Sequence, residues 1–505
     1  MAASPERFSS LGKAPVTLAP ERPLRMIYCP AGRPLWFDLA RLLAENGVAE
    51  PVLWLGDGVH DAKAKNAFAQ AEVISYKSIN FKRQVPPGFY AGQFDAFWTS
   101  AALHETRDHA IKLMDRSERF GASRGPEREA YFIQLCFWAM DRVAQSKADV
   151  LLMAENPHSA PSYVLYAIAR FARVKVLVFS AWPLFPAVTL RQGLMPPDLD
   201  IKSLKLPTDA KRTAALAKFR PVIESYVARF SDPGSYGFVP RYMQIQAGRD
   251  PASGSGKRMA ARIKALFRLL KPRMAYGAIV RARLRRSFHR MAKTNIPTGP
   301  YVYFPLHYEP ERTTNPDGGA FHDQLRALAQ LRAFVPQNIA ICVKEHPSQF
   351  NARMIGHQGR TARFYKAVTA ISGVKLVAET VSSAKLILNA QAVATISGTV
   401  ALEAAILGRR GLVFGGAWFD GCPNVMRFTH ALDWEKFCTA ALYDSKEIGD
   451  WLCDRLDACG LPGCVNPSNK KYFAAHYADG SLLNCEAAIL ADAIAAALVS
   501  GKPVV

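Results

Sequence analysis

Two strand-like runs that end in polar turns constrain this chain most. The run Asn338 to Val343 ends in Lys344-Glu345-His346-Pro347, and Leu386 to Ile396, strand in part, leads into Ser397-Gly398-Thr399 and a helical pattern from Val400. A short apolar run followed by a turn and a helix is the repeating unit of a parallel sheet, because parallel neighbours need a crossover between them. Ligands of open α/β sheets bind at the carboxyl ends of the strands. These two ends bring a cation, an imidazole, two hydroxyls and a helix N-terminus to one side of a sheet, which is equipment for holding a phosphate.

The same alternation recurs along the chain. Strands are expected at Met26 to Tyr28, Pro51 to Leu55, Asp149 to Ala154 and Val174 to Phe179, and again at Tyr301 to Pro305, Lys375 to Leu376 and Gly411 to Phe414. At 505 residues the chain exceeds one ordinary core. The expected architecture is α/β, with two facing Rossmann-like domains. Residues 1–25 form a loose tail, 26–200 the first domain, 201–299 a helical basic linker or insertion, 300–430 the second domain and 431–505 a helical region. No uninterrupted apolar run is long enough to predict a transmembrane span, and the first 25 residues lack the apolar core of a signal peptide. The nine cysteines are scattered, with no C-x-x-C pair, and read as free thiols of a reduced cytoplasm.

The net charge of +22 is uneven. Between Lys257 and Lys293 lie thirteen Lys or Arg and no Asp or Glu. Ile263, Leu266, Phe267 and Leu270 keep helical spacing there. Such a segment suits an anionic membrane surface, or is a solvated insertion. Nucleic acid is not expected as a partner, since no recognition motif accompanies the charge.

Each candidate functional residue has an ordinary structural alternative. His346, fixed by Pro347, can bond or protonate a leaving phosphate, yet most His-Pro pairs are turns. Lys344 adds a point charge. Ser397 and Thr399 flank Gly398 at a helix start, where they can contact a phosphate or cap the helix. Glu403, one turn on, can accept from ribose hydroxyls or face solvent. Glu155 ends the strand Asp149 to Ala154 and is placed to act as base or nucleophile, with Asn156 and His158 on the same turn; alternatively it complements a helix dipole. Asp57, in Gly56-Asp57-Gly58, competes for that role, although a tight turn explains it. The polar, proline-rich stretch from Pro305 to Thr314 reads as a loop opening into a cleft, with Glu311 and Arg312 as candidate substrate contacts. No metal cluster is expected.

The run "YVYFPLHYEPERTT", then "FHDQLRALAQL", "VKEHP" and "TISGTVALEAAILGRRGLVFGGAWF" over 301–430 resembles the bacterial capsule polysaccharide biosynthesis family, which includes β-Kdo transferases. The His-Pro and Ser/Thr pairing is also similar to that of bacterial sialyltransferases and polysialyltransferases of the two-domain GT-B fold. The resemblance implies a GT-B-like glycosyltransferase in which His346, Ser397 and Thr399 meet the phosphate of a CMP-sugar and Glu155 is the catalytic carboxylate. The pattern of two acids and a Gly in those relatives is here Glu155-Asn156-Pro157, a departure at the base. The implied reaction moves an acidic, Kdo-like sugar to a glycolipid or polysaccharide acceptor in the cytoplasm, without metal or other cofactor. UDP- or GDP-sugar transfer, polyol-phosphate transfer and a non-catalytic capsule-export role are the alternatives.

Overall fold

The structure is a computed structural model that describes residues 22–89, 92–117, 125–194, 198–204, 206, 209–231, 272–310, 313–352 and 354–499. It contains two sheets. The first is built from β1 (Leu24–Cys29), β2 (Ala49–Gly56), β3 (Glu72–Ser75), β4 (Val150–Met153), β5 (Lys175–Ala181) and β6 (Ala187–Gln192). The second holds β7 (Tyr301–Pro305), β8 (Ala340–Lys344), β9 (Val374–Val377), β10 (Ala392–Thr395), β11 (Arg410–Val413) and β12 (Val425–Arg427). A last strand, β13 (Gly460–Pro462), returns to the first sheet.

The strand orders are β13-β6-β5-β4-β1-β2-β3 and β12-β11-β10-β7-β8-β9. Every pairing of the second sheet is parallel. In the first, only β6 runs against the rest, pairing antiparallel with both β5 and β13. Both sheets thus share the doubly wound order in which the strand direction of travel reverses beside the first strand. That switch point lies between β1 and β4 in one domain and between β7 and β10 in the other. Two Rossmann-like domains follow from this topology.

Alternation along each strand decides which helices cover which face. Val302 and Phe304 of β7, with Ile341 and Val343 of β8, enter a core that includes Leu328, Leu331, Tyr365 and Val368. Tyr301, Tyr303 and Cys342 face the opposite core, with Leu386, Ile387 and Ala404. Each such buried aliphatic or aromatic side chain contributes about 1.5–3 kcal/mol. A separate cluster joins the domains. Trp182 and Phe185 of the first pack with Ile223 of helix Arg220–Ser231, with Ala401 and Leu402 of the second domain, and with Ile448 and Leu452 of helix Ser445–Cys459.

The structure differs from the sequence expectation in several places. Residues 386–388 are not strand: Ser382 caps helix Ser383–Leu388 by accepting from the Lys385 amide, and β10 starts only at Ala392. The strand expected from Asn338 begins at Ala340 and extends to Lys344. Residues 431–499, expected as a helical region, also add to the first domain. β13 pairs with β6, and helix Ser481–Val499 lays Ile489, Leu490 and Ile494 into the core of the first domain. That helix is long and apolar enough to cross a bilayer, but more than half of it is buried in the protein. Its Glu486 is ion-paired with buried Arg33. Within 201–299, helix Pro272–Met291 sends Leu284 and Phe288 into the second-domain core. Residues 257–271, including the four apolar positions singled out above, lie outside the described residues. All nine cysteines are free.

Candidate active-site cleft

The site is assembled at the switch point of the second sheet. The loop after β7 brings His307, and the turn after β10 brings Ser397 and Gly398. Thr395 Oγ1 lies 2.9 Å from His307 Nε2 and accepts the Gly398 amide at 3.2 Å. The Ser397 amide points at the same Nε2 from 3.5 Å. With Nε2 accepting, the neutral ring carries its proton on Nδ1. Gly398 is required by this packing: a Cβ there would sit 2.8 Å from Thr395 Oγ1 and 3.3 Å from His307 Cε1.

His346 follows β8. Its Nδ1 accepts the Ser348 amide at 3.1 Å, which leaves the proton on Nε2. Burial, reinforced by the Arg360 charge, pushes His346 down to about 4. Burial, with His346 and Arg360, pushes His307 down to about 3. Both imidazoles are therefore neutral at pH 7. They can offer a polarised N–H to an anion, whereas proton donation from a charged ring is disfavoured.

A buried network holds these loops. Glu345 turns inward from the Lys-Glu-His-Pro run to meet Arg360 Nε at 3.2 Å and the Tyr365 hydroxyl at 2.5 Å. Arg360 also donates to the His307 carbonyl at 2.8 Å. Gln324 bonds both the amide and the carbonyl of His307 and reaches Glu309. The cleft loop is thus fixed by polar groups that are themselves paired, as burial requires.

From the first domain, Glu155 stands after β4, at the switch beside β1. Its Oε2 lies 3.6 Å from His158 Nδ1, and Arg116 donates to the His158 carbonyl at 3.0 Å. Next to it, the Asn156 amide donates to Asp317 Oδ1 across the cleft at 2.7 Å. Asp317 is gripped from behind, its carbonyl accepting the Gly416 amide at 2.8 Å; a Cβ on Gly415 would fall 2.6 Å from that oxygen. The same loop passes Thr313, whose carbonyl accepts the Ser397 hydroxyl. A second domain contact lies alongside. His109 and His322 pack with ring centroids 4.3 Å apart, Asn315 Nδ2 donates to the His109 carbonyl at 3.0 Å, and Lys112 donates to the His322 carbonyl at 3.0 Å.

One run of bonds therefore links Glu155 and His158 to the loop at 313–317, and through it to Ser397, Gly398 and His307. Lys344 is held elsewhere. Its Nζ donates to the Val381 carbonyl and the Ser383 hydroxyl, on the side where Ser383 also bonds the buried Tyr303 phenol, which the Glu403 charge helps to keep protonated. Burial lowers Lys344 to about 8. Thr399 occupies the N-cap position of helix Val400–Ile406, but its side chain makes no capping bond. Asp57 accepts the Val59 amide at 3.0 Å, the bond of a tight turn. Glu311 and Arg312 lie outside the described residues. No group of three or more metal-ligating side chains occurs among the described residues. Sequence reasoning passed over His307, Thr395, Arg360 and Asp317. His307 had a signal, the first imidazole after a buried strand, whereas Asp317 acquires its place only through tertiary contact.

Residues 272–428 match the family described as capsule polysaccharide biosynthesis protein, which bears out the resemblance over that stretch. No curated protein matches the chain. Among solved structures it is similar to the KpsC β-Kdo 2,7 transferase of Thermosulfurimonas dismutans, with 11% identity, 70% of this chain and 95% of that one covered, and a TM-score of 0.28. The β-Kdo 2,4 transferase of the same organism's KpsC gives 13% identity, coverage of 60% and 78%, and a TM-score of 0.24. A UDP-GlcNAc 2-epimerase from Neisseria meningitidis gives 10% identity, coverage of 93% and 98%, and a TM-score of 0.19.

Proposed function

We propose that this chain is a nucleotide-sugar-dependent glycosyltransferase of capsule or surface polysaccharide biosynthesis. Its donor is an acidic, Kdo-like sugar carried on CMP, and its acceptor is a glycolipid or polysaccharide. The observation that carries this reading is the joining of the two switch points: Glu155 of one sheet and the His307, Ser397 and Gly398 turn of the other are linked through Asn156 and Asp317.

In this reading the neutral His346 and His307 rings and the turn after β10 hold the donor phosphate, so that charge developing on the leaving nucleotide meets fixed N–H dipoles. Glu155, beside His158, acts on the acceptor hydroxyl or the anomeric carbon. Lys344, Ser383, Tyr303 and Glu403 flank the nucleoside side, where Glu403 accepts from ribose. No metal enters this scheme. The reaction is placed in the cytoplasm, in keeping with nine unpaired thiols.

A thermal-shift panel of CMP, CDP, UDP and GDP tests the donor. A ligand that binds only the folded state raises the melting temperature by mass action. CMP should give the largest rise. A larger rise with UDP or GDP would move the reading to another donor class, and equal or absent shifts would remove it.

A further inference from the structure

Helix Pro272–Met291 carries a feature that the proposed chemistry does not use. Its inner side, Leu284 and Phe288, is committed to the second-domain core. Tyr276, Ile279, Arg283, Arg286 and Arg290 are all exposed and recur at steps of three and four, so they form one stripe along the helix. Tyr276 is 55% and Ile279 51% exposed, although both are large and apolar.

The neighbouring helix Ala362–Ala370 runs beside it in the same direction, with Phe288 against Tyr365 at 5.2 Å and Met291 against Thr369 at 4.0 Å. Both helices cover the same face of the second sheet, so their outer sides form one surface. The second helix adds exposed Arg363 and Lys366. Neither part of the chain supplies a carboxylate, since Asp and Glu are absent from 251–308 and from 346–378. Glu379 does reach the first helix, where it pairs with Arg285 at 2.9 Å and His289 at 3.0 Å. Among the described residues, Arg283, Arg286, Arg290, Arg363 and Lys366 make no ion pair.

We propose that this surface is a docking face for an anionic lipid bilayer. Five unneutralised cations on one side of a domain match the negative surface of such a membrane, each contributing through long-range attraction. Tyr276 and Ile279 are suited to shallow insertion among head groups, where an apolar body with a polar tip is favoured. A polyanion in solution would engage the arginines but gain little from an exposed isoleucine. Because Leu284 and Phe288 are already used inside the protein, the helix lies on the membrane and does not enter it. The docking is independent of which donor the cleft takes, so its failure and that of the transferase reading are separable.

The test is co-sedimentation of the full chain with phosphatidylcholine vesicles, with and without phosphatidylglycerol. The intact protein should pellet only with the anionic vesicles, and less as salt rises. The triple variant Arg283→Glu, Arg286→Glu, Arg290→Glu should lose partitioning by at least about a hundred-fold, which is the loss from the three positive charges alone at about five-fold each, with the three added carboxylates deepening it and the melting temperature unchanged. Tyr276→Ser should weaken binding less and without altering its salt dependence. A control with the same change in net charge, Lys65→Glu, Lys211→Glu, Lys436→Glu, places it on exposed sites elsewhere and should retain most of the binding. Equal losses in the two triple variants, binding indifferent to phosphatidylglycerol, or retention of duplex DNA by the stripe without any vesicle binding would each overturn the proposal.

Discussion

The Asn156 side-chain amide donates to Asp317 Oδ1 at 2.7 Å, tying the end of a first-domain strand to a second-domain loop 161 residues further along. The amide's neighbour in sequence is Glu155. The carboxylate's loop holds the Ser397 hydroxyl through Thr313. Disturbing this pair should therefore act on both halves of the cleft. A hydrogen bond to a charged group is worth about 1.5–3 kcal/mol. Asp317→Ala is expected to lower kcat/KM for the sugar nucleotide by roughly ten-fold or more, with little change in melting temperature because Asp317 is partly exposed. Steady-state kinetics beside a thermal melt checks this, and a variant that loses stability in step with activity would make the pair structural.

The Glu345–Arg360 pair should behave in the opposite way. Both side chains are almost fully buried. Removing one partner strands a buried charge, at a cost of about 3–5 kcal/mol. Arg360→Met should lower the unfolding free energy by that order in a denaturant titration and release the loop that carries His307. Retained stability would mean the pair is dispensable.

The histidines set the response to acid. His346 falls from an ordinary 6.5 to about 4 and His307 to about 3, chiefly through burial. The unfolded chain then binds protons first as the pH drops, so their contribution to stability is complete above pH 6.5 and is lost as the pH falls toward the folded values. His346→Gln should flatten the acid limb of melting temperature against pH. It should also abolish transfer, whereas kcat/KM of the intact protein should show no ionisation near 6.5, because the working ring is neutral. A wild-type profile that follows a histidine titrating near 6.5 would contradict this role.

Ser397→Ala removes the bond to Thr313 and one hydroxyl of the anion site. CMP should then raise the melting temperature less than it does in the intact protein, while the apo melting temperature moves little. An undiminished CMP shift would take Ser397 out of the donor site.

Much of this organisation is legible in the sequence because it is local. β7 falls on Tyr301 to Pro305 as expected, since an apolar run between proline-containing turns has few other conformations. Glu155 and His346 are found at strand ends for the same reason. The remainder depends on partners remote in sequence. Residues 386–388 are apolar enough for a strand and became helix because Ser382 caps them. The three-residue β12 and β13 carry no periodicity of their own and exist through their neighbours. Lys344 reads as a phosphate ligand by position, yet its Nζ is taken by Val381 and Ser383. His307 is one imidazole in a polar loop, and only the fold shows that Thr395 and Ser397 converge on it.

The most direct test of the account is release of CMP from CMP-Kdo by the intact protein and by Glu155→Gln, measured together with CMP binding. Glu155→Gln keeps the size of the side chain and removes its charge, so turnover should fall by about two or more orders of magnitude, as for loss of a general base, while the Kd for CMP stays nearly unchanged. Asp57→Asn, in its tight turn, should retain activity. Full turnover in Glu155→Gln, or its loss in Asp57→Asn instead, would contradict the assignment, and no CMP release by the intact protein would contradict the function.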